Sequence, residues 1–269
     1  HRLYVESGAG VGAGHPDADY ESAGARIVFS RSEAFHRGEL LLSVQPPEPR
    51  DYPQLVPGQI ILAFWHLALA RADDLRELLE RKVTAVGLEA IEDEDGQAPV
   101  LTSMSEIAGA LAVTVGASLL LNEFGGKGIL LGGAPGVAPA NLMILGAGVL
   151  GRSAARTALG MGAQVTLLDR SVSHLRQALA FLRVPVTTYV ATRPNLEKVL
   201  GYADLVLGAV AVHGERAPVL VTRPMLKLMK PRSVIMDLSI DQGGCCETSR
   251  PTDFSSPTYE VDGIIHFCV

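Results

Sequence analysis

The chain has 269 residues, of which 48% are apolar and 19% charged, with a formal net charge of -6. That composition excludes a disordered chain, and the length suits two domains of roughly 100 to 150 residues. A negative balance without any Lys/Arg block argues against a nucleic-acid surface or an anchor on an anionic membrane, leaving a small metabolite as the expected partner.

In chain order, the first hundred residues alternate strand-like runs with helical patterns. "HRLYVE", "ARIVFS", "ELLLSV", "QIILAFW" and "VTAVGLE" read as strands, and "RSEAFHRG" and "DDLRELLERK" as helices between them. In the latter, Asp73 or Asp74 is the expected cap, and Leu75, Leu78 and Leu79 share one face. Strand and helix in alternation imply a parallel α/β layer. After the polar turn "EDEDGQAP" comes an apolar helix over 104–122, whose longest apolar run is shorter than the ~20 residues that span a bilayer and is expected to be buried. The loop "GGKGILLGGAPGVAP" follows and reads as a flexible connector with Lys127 solvated. From Asn141 the alternation resumes with strands "LMILG", "QVTLLD", "VTTYV", "DLVLGAV" and "SVIMDLS", and helical stretches start at 149, 173, 195 and 223. The final run "DGIIHFCV" is strand-like again. The expected division is 1–112 and 113–269, with the long helix as the join.

In "ILGAGVLG", Gly146, Gly148 and Gly151 give G-x-G-x-x-G after an apolar strand and before a helix. The first glycine permits the tight turn, the second lets backbone approach a pyrophosphate, and the third lets helix and strand pack closely. The helix N-terminus adds unpaired N–H groups and partial positive charge. The second strand ends in Asp169, 23 residues after Gly146, close to the ~20 expected of an acid that grips ribose hydroxyls. A carboxylate there repels a 2′-phosphate, which favours NAD over NADP, while the adjacent Arg170 is the dissenting residue. The competing reading of Asp169 is a helix cap or loop acid.

Ligands of open α/β sheets bind beyond the carboxyl ends of the strands. "SVIMDLS" runs into "IDQGG" and places Asp241 at such an edge, as a reactive acid or as a loop cap. His66 ends the strand "QIILAFW" and is either a proton shuttle or a core histidine held by a carbonyl. His36 and His174 read as surface residues, and His213 and His266 have no partner identifiable from sequence. Cys245, Cys246 and Cys268 are too few for a disulfide framework, which fits a reducing cytoplasm; Cys245 and Cys246 lack a second ligand pair at zinc spacing and read as small buried hydrophobes, with no metal expected.

The segments "HRLYVESGAGVGAG", "HLALARADDLRELLERKVTAVGLEAIEDEDG", "MSEIAGALAVTVGA", "GGKGILLGGAPGVAPA", "ILGAGVLG", "GAVAVHGERAPVLVT", "MKPRSVIMDLSIDQGGCCETSRPT" and "PTYEVDGIIHFCV" together resemble the NAD-dependent alanine dehydrogenase family, which also includes nicotinamide nucleotide transhydrogenase subunits. The resemblance implies an α/β protein with a Rossmann dinucleotide-binding domain at 113–269 and an incomplete Rossmann-like substrate domain at 1–112, joined by a long helix. It also implies a cytoplasmic hexamer that interconverts L-alanine with pyruvate and ammonia using NAD. By the same resemblance His66 is the acid/base, and Asp241 completes the active site beside the nicotinamide. Cofactor contacts carry over to Ser105, Val149, Leu150, Asp169, Val210, Ala211, Leu238, Arg250 and Val269, and to His174 at a position usually held by Lys.

Two departures stand out. The family's substrate-binding Lys falls at Gln45, with Ser43 at the preceding basic position, and a neutral amide cannot offer the charge-assisted contact, typically about twice as strong as a neutral one. The family's N-terminal strand, with an Arg that grips the substrate carboxylate, falls before His1, and its C-terminal segment falls after Val269. The alternatives are therefore a same-family amino-acid dehydrogenase with an altered substrate, or a non-catalytic NAD-binding protein.

Overall fold

Short apolar runs in the first hundred residues build two small parallel sheets, where a single layer was expected. The computed structural model describes residues 1–67, 70–211 and 216–269, which places His213 outside the described residues. The chain forms two compact units, His1–Val100 and Leu101–Val269.

In the first unit, β1 (Tyr4–Glu6) pairs with β2 (Arg26–Val28), and β3 (Leu40–Leu42), β4 (Ile60–Ala63) and β5 (Thr84–Gly87) pair in that order. Between them lie α1 (Asp17–Ser22), α2 (Arg31–Arg37) and α3 (Ala72–Glu80). The Ser30 side chain caps α2 by accepting from Glu33 N–H. Helix α3 starts at Ala72 after the uncapped Arg71, so Asp73 and Asp74 lie inside its first turn, where they favour the positive end of the helix without capping it. Of its three expected core leucines, Leu78 is buried and Leu79 is exposed. Phe35, Tyr52, Leu55, Ile61, Trp65 and Leu78 form the core of this unit.

The long helix, α4 (Pro99–Leu119), starts earlier than expected and is not buried all round. Gly109, Ala112, Val113, Gly116 and Leu119 form its buried face. A Cβ on Gly109 would overlap the Leu150 carbonyl, and one on Gly116 would meet Leu205 and Met236, so the small residues set how closely the helix lies on the second unit's sheet. Met104, Ile107 and Leu111 on the outer side are exposed. By length and composition alone α4 is apolar enough to cross a bilayer, and its small-residue face is spent on packing instead.

The second unit holds β6 (Asn141–Leu145), β7 (Gln164–Asp169), β8 (Thr187–Val190), β9 (Leu205–Gly208), β10 (Val234–Asp237), β11 (Thr258–Val261) and β12 (Ile264–Phe267), in the spatial order β11-β12-β10-β9-β6-β7-β8. All neighbours are parallel except β11 with β12. Helices α5 (Val149–Gly160), α6 (Val172–Leu182) and α7 (Arg193–Leu200) cross between strands. The stretch at 223, expected as a helix, is a short 3-10 turn, Arg223–Leu228. Because the chain leaves β6 toward β7 on one side and returns to β9 on the other, the order reverses between β6 and β9, the switch point beyond whose carboxyl edge open α/β sheets bind ligands.

The glycine-rich connector belongs to this unit and is pinned to it. Gly126 and Gly128 donate to the carbonyls of Leu121 and Leu120, and Leu131 is buried. Lys127, expected to be solvated, pairs with Asp204, as does Lys230. Burial pushes the Asp204 carboxyl upward, but the Asn141 N–H and Lys127 outweigh it and hold the group below its ordinary value.

Candidate active site

Every cofactor residue expected from the glycine turn onward gathers near one edge of the second unit's sheet or on a segment tied to it. Gly146 leaves β6 with φ +103°, and a Cβ there would overlap the Ala209 carbonyl, so only glycine fits. A Cβ on Gly151 would overlap the Gly146 carbonyl, which couples the first turn of α5 to the end of β6. Gly148 has no atom within 4 Å of where its Cβ would lie, and as the N-cap residue it supplies no side chain to the first-turn N–H groups. Open space over uncapped donors, with Val149 and Leu150 half-buried beside it, fits a dinucleotide's pyrophosphate. On α4, Ser105 lies one turn before Gly109, which packs on Leu150, and Ser153 Oγ donates to the Glu106 carbonyl at 2.7 Å.

Asp169 ends β7 almost fully buried. Its Oδ2 accepts from Ala147 N–H at 2.8 Å and its Oδ1 from Ser171 N–H at 2.7 Å. The carboxylate thus ties the glycine turn to the start of α6, as the loop-acid reading expects, and its oxygens keep acceptor capacity beyond these two bonds. His174 Nδ1 lies 3.4 Å from Asp169 Oδ1, while Arg170 is exposed and has no ion pair among the described residues.

Val210 follows β9, and its N–H donates to Ser239 Oγ at 2.9 Å; Ala211 is exposed beside it. Leu238 is half-buried at the end of β10, and Asp241 stands exposed on the 3-10 turn Ile240–Gln242. Arg250 is exposed, with its guanidinium 4.2 Å from the Tyr259 ring and its backbone N–H donating to Tyr259 Oη. Val269 follows β12, half-buried. His266 is buried and has two partners, the Ile264 carbonyl at Nδ1 and Thr248 Oγ1 at Nε2. The three cysteines are free; Cys245 and Cys246 are buried as expected, and Cys268 is buried as well.

In the first unit, β3, β4 and β5 present Gln45, His66 and Glu89 just beyond their carboxyl ends, with Phe64 N–H donating to the Val44 carbonyl alongside. His66 has φ +45°, a left-handed conformation rare for a residue with a Cβ, and its N–H donates to Glu89 Oε1 at 2.8 Å. Its ring stacks on Phe64, it is half-buried, and no described residue hydrogen-bonds either ring nitrogen. Gln45 lines a cleft of about 290 Å³ with Glu48, Tyr52, Trp65 and Asp74; no Lys or Arg among the described residues lines it. Sequence reasoning missed Glu89, Asp237, Ser239 and Tyr259, which contact candidate site residues or the loop that carries them. A carboxylate ending the apolar run "SVIMD" was the one visible sign of Asp237.

The model of the alanine dehydrogenase/PNT N-terminal domain matches residues 1–108, and that of the C-terminal domain matches 112–269. An alanine dehydrogenase of Halomonas elongata is 44% identical over the whole chain, which covers 72% of that protein. A solved L-alanine dehydrogenase superposes with a TM-score of 0.89 at 41% identity, over 100% of this chain and 74% of that one. A transhydrogenase from Sinorhizobium meliloti gives 0.79 at 27% identity, over 99% and 76%. With both domains matched in order along its length, this chain belongs to the alanine dehydrogenase/PNT family of oxidoreductases.

Proposed function

We propose that the chain catalyses the reversible oxidative deamination of L-alanine, in which L-alanine, NAD and water give pyruvate, ammonium, NADH and a proton. The observation that carries this reading is the 44% identity to an alanine dehydrogenase along the whole chain. Residues 1–112 act as the substrate domain and 113–269 as the NAD-binding domain. Gly146, Gly148, Val149, Leu150 and Gly151 hold the pyrophosphate; Asp169 and His174 face the adenosine ribose; Ser105, Val210, Ala211, Leu238, Arg250 and Val269 complete the cofactor site. Asp169 selects NAD, because its carboxylate repels a 2′-phosphate.

When bound, NAD supplies the acceptor for the hydride of the substrate α-carbon. His66, with neither ring nitrogen engaged by a described residue, takes and returns protons as water adds to the imine and ammonia leaves. Asp241 holds the second proton position from its exposed turn. Positioning of the substrate supplies much of the acceleration. The protein works in the cytoplasm as a homo-oligomer, a hexamer by family resemblance, and the exposed stripe Met104, Ile107 and Leu111 supports association.

A second reading, a same-family dehydrogenase acting on another amino acid, is favoured by Gln45 and a cleft lined by no Lys or Arg among the described residues. The deciding experiment measures NADH formation with L-alanine and a panel of other amino acids, with NADH binding followed separately by fluorescence. Turnover highest with L-alanine supports the proposal, turnover highest with another amino acid selects the second reading, and binding without any turnover leaves a non-catalytic NAD-binding protein.

A further inference from the structure

Asp237 is completely buried at the end of β10, four residues before Asp241. Its Oδ2 accepts from Cys245 N–H at 2.8 Å, Cys246 N–H at 3.0 Å and Ser249 Oγ at 2.6 Å, and its Oδ1 from Ser239 N–H at 3.1 Å, with Cys245 Sγ at 3.4 Å. These donors come from both ends of the segment that carries Asp241, so one side chain closes the loop into a ring. Inside the ring, Gln242 and Gly244 N–H donate to the Ser239 carbonyl and Gly243 N–H to that of Ile240. Ser239 in turn receives the Val210 N–H, which links the ring to the segment after β9. A Cβ on Gly208 would overlap Cys245 Sγ and come within 3.0 Å of Asp237 Oδ1, so the ring packs against the neighbouring strand at a position where only glycine leaves it space.

Asp237, Cys245 and Cys246 also bring three metal-ligating atoms within 4.8 Å of one another. A cation there would have to displace donors that already fill the carboxylate, and the Cys245 contact and burial push the Cys246 thiol well above its ordinary value. The cluster is organised for hydrogen bonding.

We propose that Asp237 is the positioning residue of the loop that carries Asp241, holding Asp241 by closing the ends of that loop and Val210 through Ser239. The role in turnover rests on the proposed deamination; the role in loop order does not. In Asp237→Asn, an NH₂ replaces one oxygen and faces either the Ser239 N–H or the three donors of Oδ2, so at least one end of the ring loses its acceptor. In the full-length chain, the amides of Ser239, Cys245 and Cys246 should then exchange about tenfold faster or more, while those of β6 and β7 keep their protection. The kcat should fall on the order of a hundredfold with a smaller change in KM, and the deuterium isotope effect with α-deuterated alanine should rise. Ser249→Ala, which removes one donor, should move the same readouts less far, and decides the matter if Asp237→Asn does not fold.

Unchanged exchange in the 239–246 segment overturns the proposal, as does a fall in kcat that tracks the folded fraction at an unchanged isotope effect. A wild-type chain without turnover refutes the deamination reading alone, and amide exchange with NADH affinity then decides the role of Asp237.

Discussion

The backbone N–H of His66 donates to Glu89 Oε1 at 2.8 Å, and this contact holds a histidine at φ +45°. A left-handed conformation costs a residue with a Cβ about 1–2 kcal/mol, and glycine avoids that cost. His66→Gly should therefore be more stable to urea than His66→Ala by about 1 kcal/mol, although both lose the imidazole. Both should also lose about 10²- to 10⁴-fold in kcat if His66 is the acid/base. Equal stabilities would mean that the position is not strained, and intact turnover would remove His66 from the chemistry.

The glycine turn separates folding from binding at adjacent positions. A methyl on Gly151 meets the Gly146 carbonyl, whereas one on Gly148 meets nothing within 4 Å. Gly151→Ala should lower both stability and NADH affinity. Gly148→Ala should leave the melting temperature within a degree or two and weaken NADH binding about tenfold or more, the equivalent of about 1.4 kcal/mol. Fluorescence titration beside a thermal melt reads both, and unchanged affinity in Gly148→Ala would place the pyrophosphate elsewhere.

What was legible in the sequence was local. Gly146, Gly148, Gly151 and Asp169 are fixed by spacing within one strand–turn–helix–strand unit, so their pattern survives without knowledge of the rest of the fold. Lys127 reads as solvated because its partner Asp204 lies 77 residues away, a distance that no spacing rule bridges. In the first unit, strands β1, β2 and β3 have three residues each, too few for an apolar pattern to specify which strand pairs with which. The outward stripe of α4 was hidden because the helix is apolar on both faces, so composition implied full burial. Asp237 went unread because its donors come together only when the loop after β10 closes on itself.

Asp169 joins two jobs that substitution can separate. Asp169→Ala deprives the Ala147 and Ser171 N–H groups of their acceptor, which costs about 1–3 kcal/mol for each group left buried and unpaired. It also removes the repulsion toward a 2′-phosphate. The wild-type chain should prefer NAD to NADP, and the variant should lose much of that preference as well as stability. A variant that keeps full discrimination would return Asp169 to a purely structural role.

Gln45 tests whether substrate grip resides at one position. If the substrate carboxylate lies there, both side chains can donate to it, but a Lys would add a full opposite charge where the amide offers only a dipole. Glu48 and Asp74 also line the cleft and offer an introduced ammonium competing partners. Gln45→Lys should lower the KM for pyruvate severalfold to tenfold, with a smaller change for ammonium. No change in either KM would show that this position does not decide the substrate.

His266 carries the clearest pH signature. Burial lowers its pKa below the ordinary 6.5, a shift partly opposed by the Ile264 carbonyl and by Asp237 and Asp262. The neutral ring suits its site, donating from Nδ1 to the Ile264 carbonyl while Nε2 accepts from Thr248. Protonation turns Nε2 into a donor and leaves charge in the core. Because the folded pKa lies below the unfolded one, the unfolded chain binds more protons in the interval between them, so stability rises with pH there. The contribution of His266 is complete above about pH 6.5 and declines as the pH falls toward the depressed folded value. Urea midpoints measured from neutral pH downward should show this slope in the wild-type chain. His266→Asn, which keeps a donor for the Ile264 carbonyl but no titrating ring, should flatten it; equal slopes in the two proteins would assign the acid sensitivity to other groups.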